Sequence, residues 1–367
     1  MKPVGILGGG QLARMIALAG HPLGVRCRVI DPSPDAPAAV VAEHVHGELT
    51  DPEALARFAD GIGVVTCEIE HLSDLALDTF KGDAEMRPSP DAVRVSRDRL
   101  DEKTFVRRCG VATADFVAVD DEADLERAAK ELGFPFLLKT RVNGYDGRGQ
   151  ARVRSPEEAS AALEELAPAP LLAEALVPFD RELSVVAARS TTGEFAVYPV
   201  GENHHAEGIL RWTLAPAPNL PDALRTRIEA MARDLMTALD YVGVLTIELF
   251  QVGIELLVNE FAPRVHNSGH WTIEGAETSQ FENHLRAVLG LPLGSTAATG
   301  QWVMFNLLGT TPDPARVLEI EGAHLHLYGK EPRPGRKLGH VTCRVQDPEA
   351  DRPRLAAELG LDPGPAQ

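Results

Sequence analysis

A short apolar strand, Val4-Gly5-Ile6-Leu7, runs directly into Gly8-Gly9-Gly10 and then into a segment of helical character, residues 11–19. A strand that turns through glycines into a helix begins a βαβ unit, and such units build parallel sheets. Residues 25–30 and 63–67 supply further strands. The alternation lasts to about residue 95, where Arg87-Pro88-Ser89-Pro90 ends it. Gly8, Gly10 and Ala13 also satisfy the dinucleotide fingerprint, with Asp31 closing the second strand about twenty residues on. A phosphate-binding turn and a plain tight turn both fit these residues, so a nicotinamide dehydrogenase is one reading they permit.

The chain has 367 residues, more than one core accommodates, and further units are expected. Residues 99 onward predict a helix, a strand at 116–119, a helix at 122–132 and a strand at 134–139 whose proline marks an edge or an entry position. A glycine-rich loop follows at 143–150, then a strand at 151–154, and this small α+β unit runs to about residue 178. Strands at 182–189 and 195–200 open a larger sheet. A helix at 222–239 precedes adjacent strands at 244–250 and 254–261, and a helix at 280–289 leads to a linker, Leu291-Pro292-Leu293-Gly294. The tail predicts strands near 302–306, 324–328 and 340–345.

The formal net charge of −18 repels nucleic acid and anionic membranes, so neither is an expected partner. Anionic small molecules remain possible where basic residues gather. The four cysteines, Cys27, Cys67, Cys109 and Cys343, have no paired spacing, which fits a reducing compartment. No apolar run approaches the roughly 20 residues of a membrane span, and the N-terminus reads directly into the strand Val4-Gly5-Ile6-Leu7, so a secretory leader is not expected. The expected location is the cytoplasm.

Four further patterns carry chemistry. Lys139 stands at a strand end before Gly144-Tyr145-Asp146-Gly147-Arg148-Gly149-Gln150, and such a flap offers amide N–H groups beside a positive charge to phosphates. Glu248 and Glu260 each sit in an apolar run on one of two adjacent strands, with Asn259 beside the second. A carboxylate there is costly unless something positive meets it; magnesium answers, and so would arginine partners. Arg264, His266, Asn267 and His270 follow that strand, where polar donors suit an oxyanion site. Lys330, Arg333, Arg336 and Lys337 form a basic cluster, a natural trap for a phosphate ester.

Together these stretches closely resemble the ATP-grasp superfamily and, within it, the 5-(carboxyamino)imidazole ribonucleotide synthetases. The resemblance covers nearly the whole chain and is most specific at 144–150 and at Asn259-Glu260-Phe261-Ala262-Pro263-Arg264-Val265-His266-Asn267-Ser268-Gly269-His270-Trp271-Thr272. It implies a Rossmann-like N-terminal parallel-sheet domain (1–98), an ATP-grasp domain (99–292) with a small α+β lid (about 105–178) and a larger antiparallel sheet, and a small β-rich C-terminal domain (293–367). It implies a ligase that uses ATP, Mg2+ and bicarbonate to carboxylate 5-aminoimidazole ribonucleotide through carboxyphosphate in purine synthesis, as a homodimer.

The resemblance assigns ATP contacts to Arg99, Lys139, the flap Gly144 to Gln150, Glu182, His205, Asn259 and Glu260. Adenine and hinge contacts fall to Glu174, Ala175, Leu176 and Val177, and the magnesium ligands are Glu248 and Glu260. The ribonucleotide phosphate falls to Lys330, Arg333, Arg336 and Lys337, and bicarbonate to the region of Arg264, His266 and Asn267. Asp146 and His270 are the candidate bases. At the hinge, similar proteins carry a charged residue and then Phe where this chain has Ala175 and Leu176. Backbone groups make most contacts there, so altered affinity is expected rather than lost binding.

A shared metal site also sets a geometric condition. A two-residue turn at Val252-Gly253 would put Glu248 opposite Leu257 and send Glu260 to the other face. An odd-length connection or a bulge is therefore expected.

Overall fold

The computed structural model describes residues 2–80, 84–144, 148–166 and 168–362. Five parallel strands open it: β1 (Val4–Leu7), β2 (Cys27–Asp31), β3 (Glu43–His46), β4 (Val64–Cys67) and β5 (Glu85–Met86), in the order β3-β2-β1-β4-β5. Every residue of β1 and β4 is buried. Strands covered on both faces read as unbroken apolar runs, which is why Val-Gly-Ile-Leu and Val-Val-Thr-Cys do not alternate. The helix Gln11–Gly20 buries Leu12, Ala13, Met15, Ile16 and Ala17 and packs on the helix Gln280–Leu289. One core therefore joins Ile6 and Val29 to Trp271, Phe281 and Trp302 of the following unit.

A small antiparallel sheet comes next, with β6 (Phe116–Val119), β7 (Phe136–Thr140), β8 (Gln150–Val153) and β9 (Leu171–Ala175) in the order β6-β9-β7-β8. Helices Glu122–Leu132 and Pro156–Leu166 bury Leu125, Ala128, Ala159 and Ala162 against it.

The nine remaining strands form one antiparallel sheet. They are β10 (Arg181–Arg189), β11 (Phe195–Val197), β12 (Gly201–Ala206), β13 (Ile209–Ala215), β14 (Gly243–Val252), β15 (Glu255–Ala262), β16 (Gln301–Leu308), β17 (Ala323–Leu327) and β18 (Lys337–Val345). The order is β15-β14-β10-β12-β13-β16-β18-β17, with β11 on β10. The tail strands thus extend this sheet. The helix Asp222–Ala238 covers one face through Leu224, Ile228, Ala232, Leu235 and Met236; on the other, Val186, Ala188 and Val244 join the core shared with the helix Gln280–Leu289, and polar side chains hold the remainder.

The β14–β15 hairpin meets the geometric condition through a bulge. Val252 faces Glu255 across the two-residue turn Gly253-Ile254, one position on from the turn considered above, and Gly253 takes φ +58°. That register alone would set Glu248 against Asn259. The ladder shifts between Glu248 and Leu249, so Leu249 faces Val258 while Glu248 faces Glu260. One extra residue on β15 restores the pair, as a bulge does.

Candidate functional site

Glu248 also lies opposite Ser184 on β10, so Glu182, Ser184, Glu248 and Glu260 share one face of the sheet. Glu260 Oε2 accepts from Arg99 Nη1 at 2.8 Å, and Glu248 Oε1 lies 3.5 Å from His266 Nε2. Burial pushes the Glu248 carboxyl up; His205 opposes this and Glu260 adds to it. Burial acts likewise on Glu260, but Arg99 overrides it and holds that group well below the usual range. Arg99 engages Glu260 alone, so the two facing carboxylates keep oxygens on one face of the sheet that a cation could meet. An oxygen-only donor pair of this kind fits Mg2+, which takes one or two carboxylates and fills its octahedron with phosphate and water oxygens. Among the described residues no group of three metal-binding side chains exists, so those remaining ligands would come from nucleotide and water.

Lys139, next to last in β7, has its Nζ 3.1 Å from Glu174 Oε1, and Lys103 Nζ lies 2.8 Å from Glu174 Oε2. Burial would raise the Glu174 carboxyl, yet the two lysines bring it to about 2. Burial lowers the Lys139 ammonium, with Glu174 opposing and Lys103 and Arg99 adding. Glu174 therefore turns its side chain inward to the lysines, while Ala175, the last residue of β9, and Leu176 just after it lead to the surface. Arg99 Nη2 donates to Gly144 O at 3.2 Å, tying the start of the flap to the partner of Glu260. Thr140 N donates to Gly149 O at 2.8 Å, closing the flap's base. Gly149 has φ +70°, and a Cβ there would meet Thr140 Oγ1 at 2.5 Å. Arg148 and Gln150 are exposed. The expected contacts of Tyr145, Asp146 and Gly147 lie outside the described residues. Glu182 Oε2 accepts from His205 Nδ1 at 3.0 Å; burial lowers this imidazole, but Glu182 and Glu248 raise it overall.

At the other end, Arg264 forks onto Glu70, Nε to Oε2 at 2.5 Å and Nη2 to Oε1 at 3.0 Å. His266 has its Nδ1 2.9 Å from Ser268 Oγ, and burial with Arg264, Lys337 and His205 nearby pushes it well below its usual value. Asn267 and Asn306 exchange amide hydrogen bonds at 2.9 and 2.7 Å. His270 is buried against Phe281 and His340, one layer beneath this loop. Lys337 is close enough to bear on Glu248, His205 and His266, and Lys330 Nζ donates to Gln11 Oε1. Arg333 is exposed and Arg336 partly buried on the turn before β18. Glu68, Glu70, Glu102 and Lys103 are not among the residues that the sequence patterns single out. The first two had a usable signal: they directly follow β4 at its carboxyl end, where open parallel sheets place ligands.

The glycine turn is no dinucleotide site. Gly9 N donates to Asp31 Oδ2 at 2.9 Å, Ala13 N to Glu68 Oε2 at 3.0 Å, and Gly10 N to Glu68 Oε1. A Cβ on Gly8 or Gly10 would collide with Glu68 at 2.6 and 2.5 Å. The amides a pyrophosphate would need already hold carboxylates, which repel it.

A lid-bearing lysine, a glycine flap and two facing carboxylates on an antiparallel sheet define the ATP-grasp class, and residues 104–281 match the ATP-grasp domain. Residues 1–97 match the ribonucleotide synthetase preATP-grasp domain and residues 303–352 the phosphoribosylaminoimidazole carboxylase C-terminal domain. N5-carboxyaminoimidazole ribonucleotide synthase of Pseudomonas aeruginosa is 45% identical over 360 residues, 97% of each chain. The crystal structure of N5-carboxyaminoimidazole ribonucleotide synthetase from Thermus thermophilus superposes with TM-score 0.93 at 56% identity, covering 97% of each chain. The Aspergillus clavatus N5-carboxyaminoimidazole synthase in complex with ADP and 5-aminoimidazole ribonucleotide gives 0.91 at 33% identity over 98% of each. The chain belongs to the N5-carboxyaminoimidazole ribonucleotide synthase family, ATP-dependent ligases of purine synthesis.

Proposed function

We propose that this chain uses ATP and bicarbonate to carboxylate the exocyclic amine of 5-aminoimidazole ribonucleotide, with Glu248 and Glu260 as the Mg2+ ligands. The observation that carries the reading is the bulge that sets these two carboxylates face to face beside Arg99 and Lys139. Bicarbonate is a poor electrophile, so its oxygen first attacks the γ-phosphate of ATP, giving carboxyphosphate and ADP. Bound Mg2+ supplies positive charge to the phosphates. Lys139 and Arg99 meet the charge that develops on the transferring group, and the flap from Gly144 to Gln150 closes water out from an intermediate that would otherwise hydrolyse.

Arg264, fixed by Glu70, with His266 and Asn267 orients the bicarbonate. Lys330, Arg333, Arg336 and Lys337 hold the ribonucleotide phosphate. Lysine-bound Glu174 with Ala175, Leu176 and Val177 forms the adenine hinge, and Asp146 is the candidate base. His270, tilted against His340 at 4.8 Å between ring centroids, supports the loop from below. A homodimer, which rests on the resemblance, and a cytoplasmic location, which rests on the unpaired spacing of the four cysteines, are part of the same reading. Among the described residues no helix is long and apolar enough to cross a membrane. The test is phosphate release from ATP. It is expected to rise when bicarbonate and the ribonucleotide are both added, and a rate indifferent to the ribonucleotide would refute the substrate.

A further inference from the structure

The β15 bulge raises a question of hydrogen bonding. β15 is an edge strand with only β14 beside it, and its outer backbone groups need partners. Val258 N finds one in Ala112 O at 2.8 Å. The next two are supplied by side chains. Asn259, the residue at the bulge, accepts on its carbonyl from Lys103 Nζ at 2.9 Å, and Phe261 N donates to Glu102 Oε1.

Glu102 and Lys103 are consecutive residues in the helix Arg99–Arg108, only 3% and 2% exposed. Charged side chains are almost never buried this far without a specific partner. Here the pair acts as a surrogate strand, a donor and an acceptor on either side of Glu260. Lys103 has a second engagement, because the same Nζ lies 2.8 Å from Glu174 Oε2, whose other oxygen holds Lys139. One ammonium thus joins the bulge that aligns the two carboxylates to the carboxylate that aligns the phosphate-facing lysine.

We propose that Lys103 is a positioning residue of the reaction, setting the spacing between Glu260 and Lys139 by clamping the Asn259 carbonyl and Glu174 at once. The inference rests on Glu248 and Glu260 as the Mg2+ pair. Lys103 itself is too deeply enclosed to meet the nucleotide; it acts through the groups that do. Without it the Asn259 carbonyl loses its partner and the bulge is free to shift along β15, which carries Glu260 off the shared face.

The test needs a readout apart from turnover. Calorimetric titration of ADP into the full-length protein at a series of Mg2+ concentrations gives the Mg2+ level at which ADP affinity is half-maximal. Lys103→Met is expected to raise that level roughly tenfold or more, the size of effect that supporting residues around metal ligands have. Its KM for the ribonucleotide should stay within about twofold, because that end of the site is untouched. Lys103→Arg keeps the charge on a planar head and is expected to fall between. Glu260→Gln in the same titration tests the carboxylate pair itself. If Glu260→Gln shifts the Mg2+ requirement and Lys103→Met does not, Lys103 is only packing and the proposal is overturned. If neither shifts it, the Mg2+ pair fails, and the proposal with it. Should Lys103→Met not fold, Lys103→Arg decides, and a wild-type Mg2+ requirement there overturns the proposal.

Discussion

Lys139 shows how a single residue combines structure and chemistry. Its ammonium is buried, held by Glu174, and aimed at the region of Glu260. Lys139→Ala should lower turnover by at least about 100-fold, the usual effect of removing a preorganised charge at developing negative charge. Glu174 keeps Lys103, so the variant should still melt cooperatively; steady-state kinetics beside a thermal melt checks both, and full activity would remove Lys139 from the site. Arg336 tests the opposite end. Arg336→Ala should raise KM for the ribonucleotide far more than KM for ATP, since a guanidinium–phosphate contact is lost. Equal changes would place the ribonucleotide phosphate elsewhere. Lys139, Arg264, Glu248 and Glu260 were legible because a charge inside or just after an apolar run is conspicuous. Glu102 and Lys103 were not, because a Glu-Lys pair early in a helix looks the same whether solvated or buried against a strand edge.

Among the elements, the flap and the hairpin carry the site's geometry. The base of the flap depends on Gly149 at φ +70° against Thr140. Gly149→Ala adds left-handed strain of roughly 1–2 kcal/mol and a clash with Thr140 Oγ1. Because the strain sits in the β7–β8 connection, KM for ATP should rise severalfold with little change in melting temperature. A variant with wild-type ATP kinetics would show that the flap does not close through this conformation. The hairpin shows what periodicity can and cannot give. Two strands and the need for a bulge or odd connection followed from Glu248 and Glu260 having to share a face. The bulge's position did not, since the apolar run of β15 fits either turn. β12 escaped sequence analysis for a related reason. Its Gly-Glu-Asn-His-His-Ala has no apolar alternation because both faces are polar, with Asn203 and His205 on one and, on the other, Glu202 paired with Arg181 and His204 stacked on Trp212; its hairpin turn uses Glu207 and Gly208 at positive φ.

At the scale of the molecule, the N-terminal sheet and the large sheet are joined by more than apolar packing. His284 sits fully buried between them; its Nδ1 accepts from Val244 N at 3.1 Å, and its Nε2 pairs with Thr66 Oγ1 of β4 at 2.8 Å. Burial lowers this imidazole from 6.5 to about 4. A depressed folded value means the unfolded chain takes up the proton first. The stabilising effect is therefore complete above pH 6.5 and declines as pH falls toward 4, by on the order of 3 kcal/mol. His284→Asn should be less stable than wild type at pH 7 but lose less on going to pH 5, measured by denaturant unfolding at each pH; parallel losses would exclude His284 as the sensor. The alternating N-terminal unit was legible from its glycine turn and buried strands. The merging of the tail into the nine-stranded sheet was not, because sequence shows strands but not their neighbours. The proposed reaction is one chemical event, transfer of a bicarbonate-derived carboxyl group to the amine of 5-aminoimidazole ribonucleotide for each ATP cleaved. Carbon-13 bicarbonate followed by NMR beside phosphate release measures it directly. One labelled carboxyl on the ribonucleotide per phosphate released is the expected result, and phosphate release that leaves the ribonucleotide unlabelled would contradict the proposed reaction.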